Sequence, residues 1–208
     1  MLYYLIFIIA GYFLGSILFA PIFGRIFGHK DVVSGTRDKN PGTANAFKEG
    51  GFFCGIMTLI FDMLKGFLPL YLCIKYNSCE NALMNEIGMG LVMLSPVLGH
   101  MFPVYSGGKG GGKGIATSFG VLWAFVPSLY PVATLAFWFL LFSLIIKINP
   151  DFYKTLIVYF VVTIAFLIKA PFPGMRLGFL LITFFVFIRF HLSGEEREKF
   201  EVKFIWKH

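Results

Sequence analysis

Between Gly114 and Ile146 the sequence runs without a single charged side chain. As helix such a block would be about 50 Å long, whereas the hydrocarbon core of a bilayer is about 30 Å thick. It is too long for one crossing, and Pro127 and Pro131 mark a turn inside it. The remainder of the chain points the same way. Hydrophobic residues make up 57% of the 208, charged residues only 14%, and there are 27 Phe against 11 acidic residues. A water-soluble domain carries about 25% charged residues. There is too little polar surface here to cover a core in water, so the chain reads as a membrane protein. Disorder, a secreted disulfide scaffold and a soluble nucleotide-binding domain are excluded on the same ground.

The expected fold class is an all-α integral membrane protein of about seven transmembrane helices. The first covers roughly Leu2–Ile26 and the second Phe52–Ile74, interrupted by Asp62 and Lys65. The third covers about Glu86–Phe102, the fourth ends near Val126 and the fifth near Ile146. Thr155–Leu167 and Met175–Phe190 complete the set. The uncharged start lacks a basic n-region and runs too long for a signal peptide, so it reads as a retained helix. Seven spans place fourteen of the eighteen Lys and Arg on one face, in the segments after the first, third, fifth and seventh helices. Lys75, Lys169 and Arg176 fall on the other, and Lys65 lies inside a span. Basic residues accumulate in cytoplasmic loops, which predicts the N-terminus outside and the C-terminus cytoplasmic. That excess also accounts for the net charge of +7 without nucleic acid. One polytopic domain, residues 1–208, would carry polar loops at about 28–50, 103–114 and 189–208.

Those loops hold the chemistry. The first, Ser34 to Lys48, mixes turn-forming Gly and Pro with Asn, Thr, Lys and Arg, donors that suit a phosphate or carboxylate. The second interleaves Lys109 and Lys113 with Gly107, Gly108, Gly110, Gly111, Gly112 and Gly114. Glycine lets backbone N–H groups approach an anion, and a following helix adds its dipole. Gly107, Gly112 and Lys113 satisfy the spacing of a P-loop. However, Gly114 stands where a hydroxyl must hold Mg²⁺, and a membrane helix precedes the loop in place of a strand. Phosphate binding without nucleotide hydrolysis is the surviving reading. Asp62 and Lys65 lie three apart on one helix face and should pair as structural groups. Cys54, Cys73 and Cys79 show no ligand spacing and read as apolar fillers, and no metal is expected.

Taken together, these residues resemble the bacterial acyl-phosphate:glycerol-3-phosphate acyltransferases, the PlsY-type integral membrane family. The resemblance rests on Gly15-Ser16, Asn40-Pro41-Gly42 with Asn45, and Phe61-Asp62 with Lys65-Gly66 and Pro69. It continues through Gly99-His100-Met101-Phe102-Pro103-Val104 and Gly111-Gly112-Lys113-Gly114-Ile115-Ala116-Thr117. It implies transfer of a fatty acyl group from acyl phosphate to the 1-hydroxyl of glycerol 3-phosphate, without acyl-CoA, cofactor or metal. It also implies a bacterial inner (plasma) membrane location with the active site on the cytoplasmic side. The departures from the family lie in its first and third motifs. Aligned without gaps, Asp38 takes the family serine position and Lys48 its arginine, whereas a four-residue insertion would put Ser34 there. In the third motif His191, Gly194 and Glu196 remain without the asparagine.

Acyl phosphate is already activated, so such an enzyme must mainly position an alcohol and stabilise the phosphate leaving group. Lys113 is expected to be catalytic, with Asp38 or His191 as proton acceptor unless the phosphate itself takes the proton. Asn40, Gly42, Thr43, Asn45, Lys48, His100, Lys109, Gly111, Gly112 and Gly114 are expected to bind substrate. Asp62, Lys65 and Glu196 are expected to be structural. The partners are then acyl phosphate, glycerol 3-phosphate and membrane lipids. Two alternatives stay open: a different phosphorylated or hydroxylated acceptor, and a transport or anion-binding module. The second would show repeats and more ionisable groups along several helices, and the sequence shows neither.

Overall fold

A computed structural model describes residues 2–28, 32–33, 40–193 and 199–204. Helix covers each of the seven apolar runs. In chain order these are α1 (Leu2–Gly15), α2 (Phe19–Phe23, continued by a π turn at Gly24–Gly28), α3 (Thr43–Lys75) and α4 (Ala82–Met101). They are followed by α5 (Ile115–Trp123), α6 (Tyr130–Leu140, with a π turn at Leu141–Ile145), α7 (Asp151–Ile168) and α8 (Met175–Leu192). Their lengths are unequal. Four helices, α3, α4, α7 and α8, are long and apolar enough to cross a membrane, and α1 with the α2 segment makes a fifth, bent by 40°. α5 has nine residues, about 14 Å, less than half the hydrocarbon thickness.

Each break has a local cause. Pro21 has no N–H to give the carbonyl four residues back, and its ring crowds that carbonyl, which belongs to Ile17. α1 accordingly ends at Gly15 and helix resumes at Phe19. In α3, Gly51 adopts a left-handed backbone (φ 80°) and separates a two-turn entry, Thr43 to Gly50, from the long apolar helix. That entry belongs to the segment expected to be loop. One departure from all-α is small: β1 (Ile146–Asn149) pairs antiparallel with β2 (Glu201–Phe204).

Small residues set the helix crossings, as they do where lipid-like surroundings remove the hydrophobic drive between helices. A methyl at Gly15 or Gly99 would strike the backbone of the facing helix in the α1–α4 pair, and at Gly66 or Gly120 in the α3–α5 pair. Gly90 and Gly178 face each other similarly between α4 and α8. Aromatic contacts fill the space beyond: Tyr159 stacks on Phe179 at 5.5 Å, and Phe166 meets the same ring edge-on at 5.0 Å. The three cysteines are free. The result of this packing is that the N-terminal ends of α3 and α5 lie beside the C-terminal end of α4.

Candidate active site

A cavity of about 320 Å³ opens where those three helix ends meet. Gly42, Thr43 and Ala44 bring the start of α3 to it, and Gly114, Ile115 and Ala116 the start of α5. Both helices start from a glycine, Gly42 and Gly114, so neither N-cap residue brings a side chain to its first turn. The first N–H groups of a helix have no intrahelical acceptor and carry the positive end of its dipole. Two such ends on one cavity, with Lys113 in the lining, give it a positive field. Asn40 lies in the same wall, and the Asn45 side-chain amide donates to the Asn40 carbonyl at 2.8 Å, shaping the entry to α3. The opposite wall is apolar, with Leu59, Ile115 and Phe119. The cavity therefore suits a molecule with an anionic head and a hydrocarbon part.

The glycine loop is fixed from two sides. The Gly112 N–H donates to the His100 carbonyl at 2.9 Å. From the other side Arg189 of α8 donates through Nε to the Gly112 carbonyl at 3.2 Å and through its terminal nitrogen to the Gly111 carbonyl. A guanidinium is a rigid fork, so two adjacent carbonyls held by one Arg leave the loop little freedom. Lys113 then lies over the Phe190 ring, 5.0 Å from its centroid. Gly114 caps α5 in a left-handed conformation, φ 79°.

Asp62 and Lys65 pair at 2.7 Å, both buried. The Lys65 ammonium, against Oδ1, is what holds the Asp62 charge. Asp62 also reaches the cavity lining, as does His100. Because the pair carries no net charge, the field set by Lys113 and the helix ends stands.

Of the residues expected to act on substrate, the cavity gathers Asn40, Gly42, Thr43, His100, Lys113 and Gly114. Asn45, Gly111 and Gly112 stand one layer behind, holding the lining. Lys48, Lys109 and His191 are exposed and outside the lining. Asp38, Ser34 and Glu196 lie outside the described residues. Sequence reasoning missed Arg189, which it counted only as a topological charge. The signal was present: Arg189 sits at the end of the apolar run Met175–Phe190, where an ionisable group is as conspicuous as Asp62.

Residues 5–196 match the family model described as glycerol-3-phosphate acyltransferase. The chain belongs to that family. Among curated members, the glycerol-3-phosphate acyltransferase of Cupriavidus necator is 39% identical over 137 residues, 66% of this chain and 65% of that protein. The match thus spans just under two thirds of that relative's length. The Legionella pneumophila (strain Lens) member is 41% identical over 125 residues, 60% of this chain and 42% of its own. The crystal structure of PlsY, an integral membrane glycerol 3-phosphate acyltransferase, in its glycerol 3-phosphate form superposes with a TM-score of 0.74 at 26% identity. It covers 94% of this chain and 95% of that one. The lysophosphatidic acid form of the same protein gives 0.71 at 27% identity, covering 94% of each chain. This member of the glycerol-3-phosphate acyltransferase family is accordingly a multi-pass integral membrane protein.

Proposed function

We propose that this protein transfers a fatty acyl group from acyl phosphate to the 1-hydroxyl of glycerol 3-phosphate, giving lysophosphatidic acid for phospholipid synthesis. The observation that carries the reading is the convergence of two helix N-termini, each with glycine at its N-cap, and Lys113 on one cavity with an apolar wall. Family membership and the glycerol 3-phosphate and lysophosphatidic acid forms of the PlsY relative support it. The alcohol oxygen attacks the acyl carbonyl, the carbon–oxygen bond to phosphate breaks, and inorganic phosphate leaves. The hydroxyl proton goes to that phosphate or to an acceptor, Asp38 or His191. Charge on the departing phosphate grows during bond breaking, so Lys113 and the helix N–H groups act most strongly there. Leu59 and Phe119 offer the acyl chain a path toward the lipid. Purified protein given palmitoyl phosphate and labelled glycerol 3-phosphate should produce labelled lysophosphatidic acid. Release of palmitate alone, with no labelled lipid, would overturn the reading.

The same proposal puts the enzyme in the bacterial inner membrane with seven spans and the cavity on the cytoplasmic side, on the strength of the basic-residue partition. Single cysteines at positions 40, 111 and 194 should therefore react with an impermeant reagent from the cytoplasmic face, and one at position 81 from the outside. Positions 40 and 194 labelling from opposite faces would refute the seven-span arrangement.

In the first motif we propose Asp38, and not Ser34, at the family serine position, on the gap-free alignment through Asn40, Gly42 and Asn45. Asp38→Ala should then lower kcat with little change in KM for glycerol 3-phosphate, while Ser34→Ala should be nearly silent. A dead Ser34→Ala beside an active Asp38→Ala reverses the assignment.

A further inference from the structure

Lys65 does more than neutralise Asp62. Its Nζ lies 2.7 Å from Asp62 Oδ1, donates to the Ile17 carbonyl at 2.7 Å, and meets His100 Nδ1 at 2.7 Å. An ammonium has three N–H groups and no lone pair. Three acceptors therefore use it completely, and the ionisable groups involved sit inside the protein: Asp62, Lys65 and His100 are 0%, 4% and 3% exposed. The Ile17 carbonyl is available because Pro21 denies it a helical partner.

The consequence falls on the imidazole. Nδ1 faces a donor, so it must supply a lone pair, and the proton of the neutral ring sits on Nε2. A second proton at Nδ1 would require Lys65 to leave. Nε2 in turn lies against Gly112, so close that a methyl on Gly112 would collide with it. His100 shares the cavity lining with Lys113 and Gly114. We infer that His100 is a hydrogen-bond donor, fixed by Lys65 and Asp62, that presents Nε2–H to an oxygen of the bound acyl phosphate and does not take the proton of the attacking alcohol. Lys65 and Asp62 are positioning residues: they select the tautomer and the ring angle. This rests on the function proposed above, and it gives His100 one defined task within that reaction.

Two side chains separate the two faces of the ring. The amide nitrogen of His100→Gln reaches the place of Nε2, whereas the shorter His100→Asn reaches only that of Nδ1 and satisfies Lys65 alone. His100→Gln should keep kcat within about tenfold of wild type. His100→Asn should lose about 10²-fold in kcat, with the KM for glycerol 3-phosphate little changed, as for removal of a preorganised donor. Equal kcat values for the two variants would overturn the donor role.

The second measurement needs no turnover. Nitrogen-15 NMR of histidine-labelled protein at pH 7 should show His100 as a single Nε2–H tautomer. The charge-neutral double variant Asp62→Asn/Lys65→Met should show a mixture. A wild-type ring protonated on Nδ1, or a double variant with unchanged tautomer, overturns the inference even if the glutamine and asparagine variants fail to fold. Wild-type protein that makes no lysophosphatidic acid while showing the Nε2–H ring would instead sink the proposed reaction and leave the Lys65–His100 arrangement standing.

Discussion

Lys113→Ala is expected to lower acyl transfer by about 10²–10³-fold while protein yield stays unchanged. Lys113 is the cation that the cavity lining gains from the glycine loop, next to the glycine-capped start of α5. Removing it leaves the two helix ends to stabilise the departing phosphate without a full charge. The fold should be indifferent, because Lys113 is only partly buried and its aromatic neighbour Phe190 remains packed in the main core. Lys113→Arg should recover only part of the loss, since a planar fork places its charge differently from a point ammonium. The measurement is kcat and KM with palmitoyl phosphate in detergent. A variant keeping more than about half of wild-type kcat would remove Lys113 from the mechanism.

The second large effect belongs to Gly112→Ala. The added methyl would fall on the His100 ring, and neither partner can step aside. Gly112 is bonded through its N–H to the His100 carbonyl and through its own carbonyl to Arg189, while the ring is held by Lys65. Relief of the clash must break one of those bonds inside the protein, where an unmade bond to a charged group costs about 1.5–3 kcal/mol. Activity should fall about 10²-fold and the thermal midpoint should drop, because the displaced ring is both a cavity wall and the partner of Lys65. Gly108→Ala is the informative contrast. Gly108, unlike Gly112, has a left-handed backbone (φ 77°), but no atom lies within 4 Å of the added methyl, so only about 1–2 kcal/mol of backbone strain is expected, with activity near wild type. If Gly112→Ala behaved like Gly108→Ala, the loop would not be clamped as described.

How far these features could be read from sequence depends on whether their cause is local. Asp62 and Lys65 were legible as a pair because three residues along a helix is contact distance, and an apolar run leaves nothing else to answer a charge. That Lys65 also holds His100 and the Ile17 carbonyl was not legible, since those partners are 35 and 48 residues away and meet only when α1, α3 and α4 pack. The turn within the Gly114–Ile146 block was visible in its prolines. The shortness of α5 was not, because an unbroken apolar run carries no mark of where helix stops. The entry helix from Thr43 was hidden by Asn, Pro and Gly, residues that announce a turn but equally introduce a helix; Gly50-Gly51 was the signal that it ended there. Pairing of β1 with β2 joins segments more than fifty residues apart, each only four residues long, beyond any periodicity test.

The bend between α1 and α2 also bears on how the protein is assembled. If segments enter the bilayer in the order they are made, residues 2–28 arrive before Lys65 exists. Until α3 docks, the Ile17 carbonyl has lost its helical partner to Pro21 and has gained no other, a state that hydrocarbon penalises. Water near the interface is the available substitute, so the first segment is favoured in a shallow position until the third helix brings the ammonium that answers it. The joint is made by the arrival of a later helix, and with it the first segment becomes committed to the bundle.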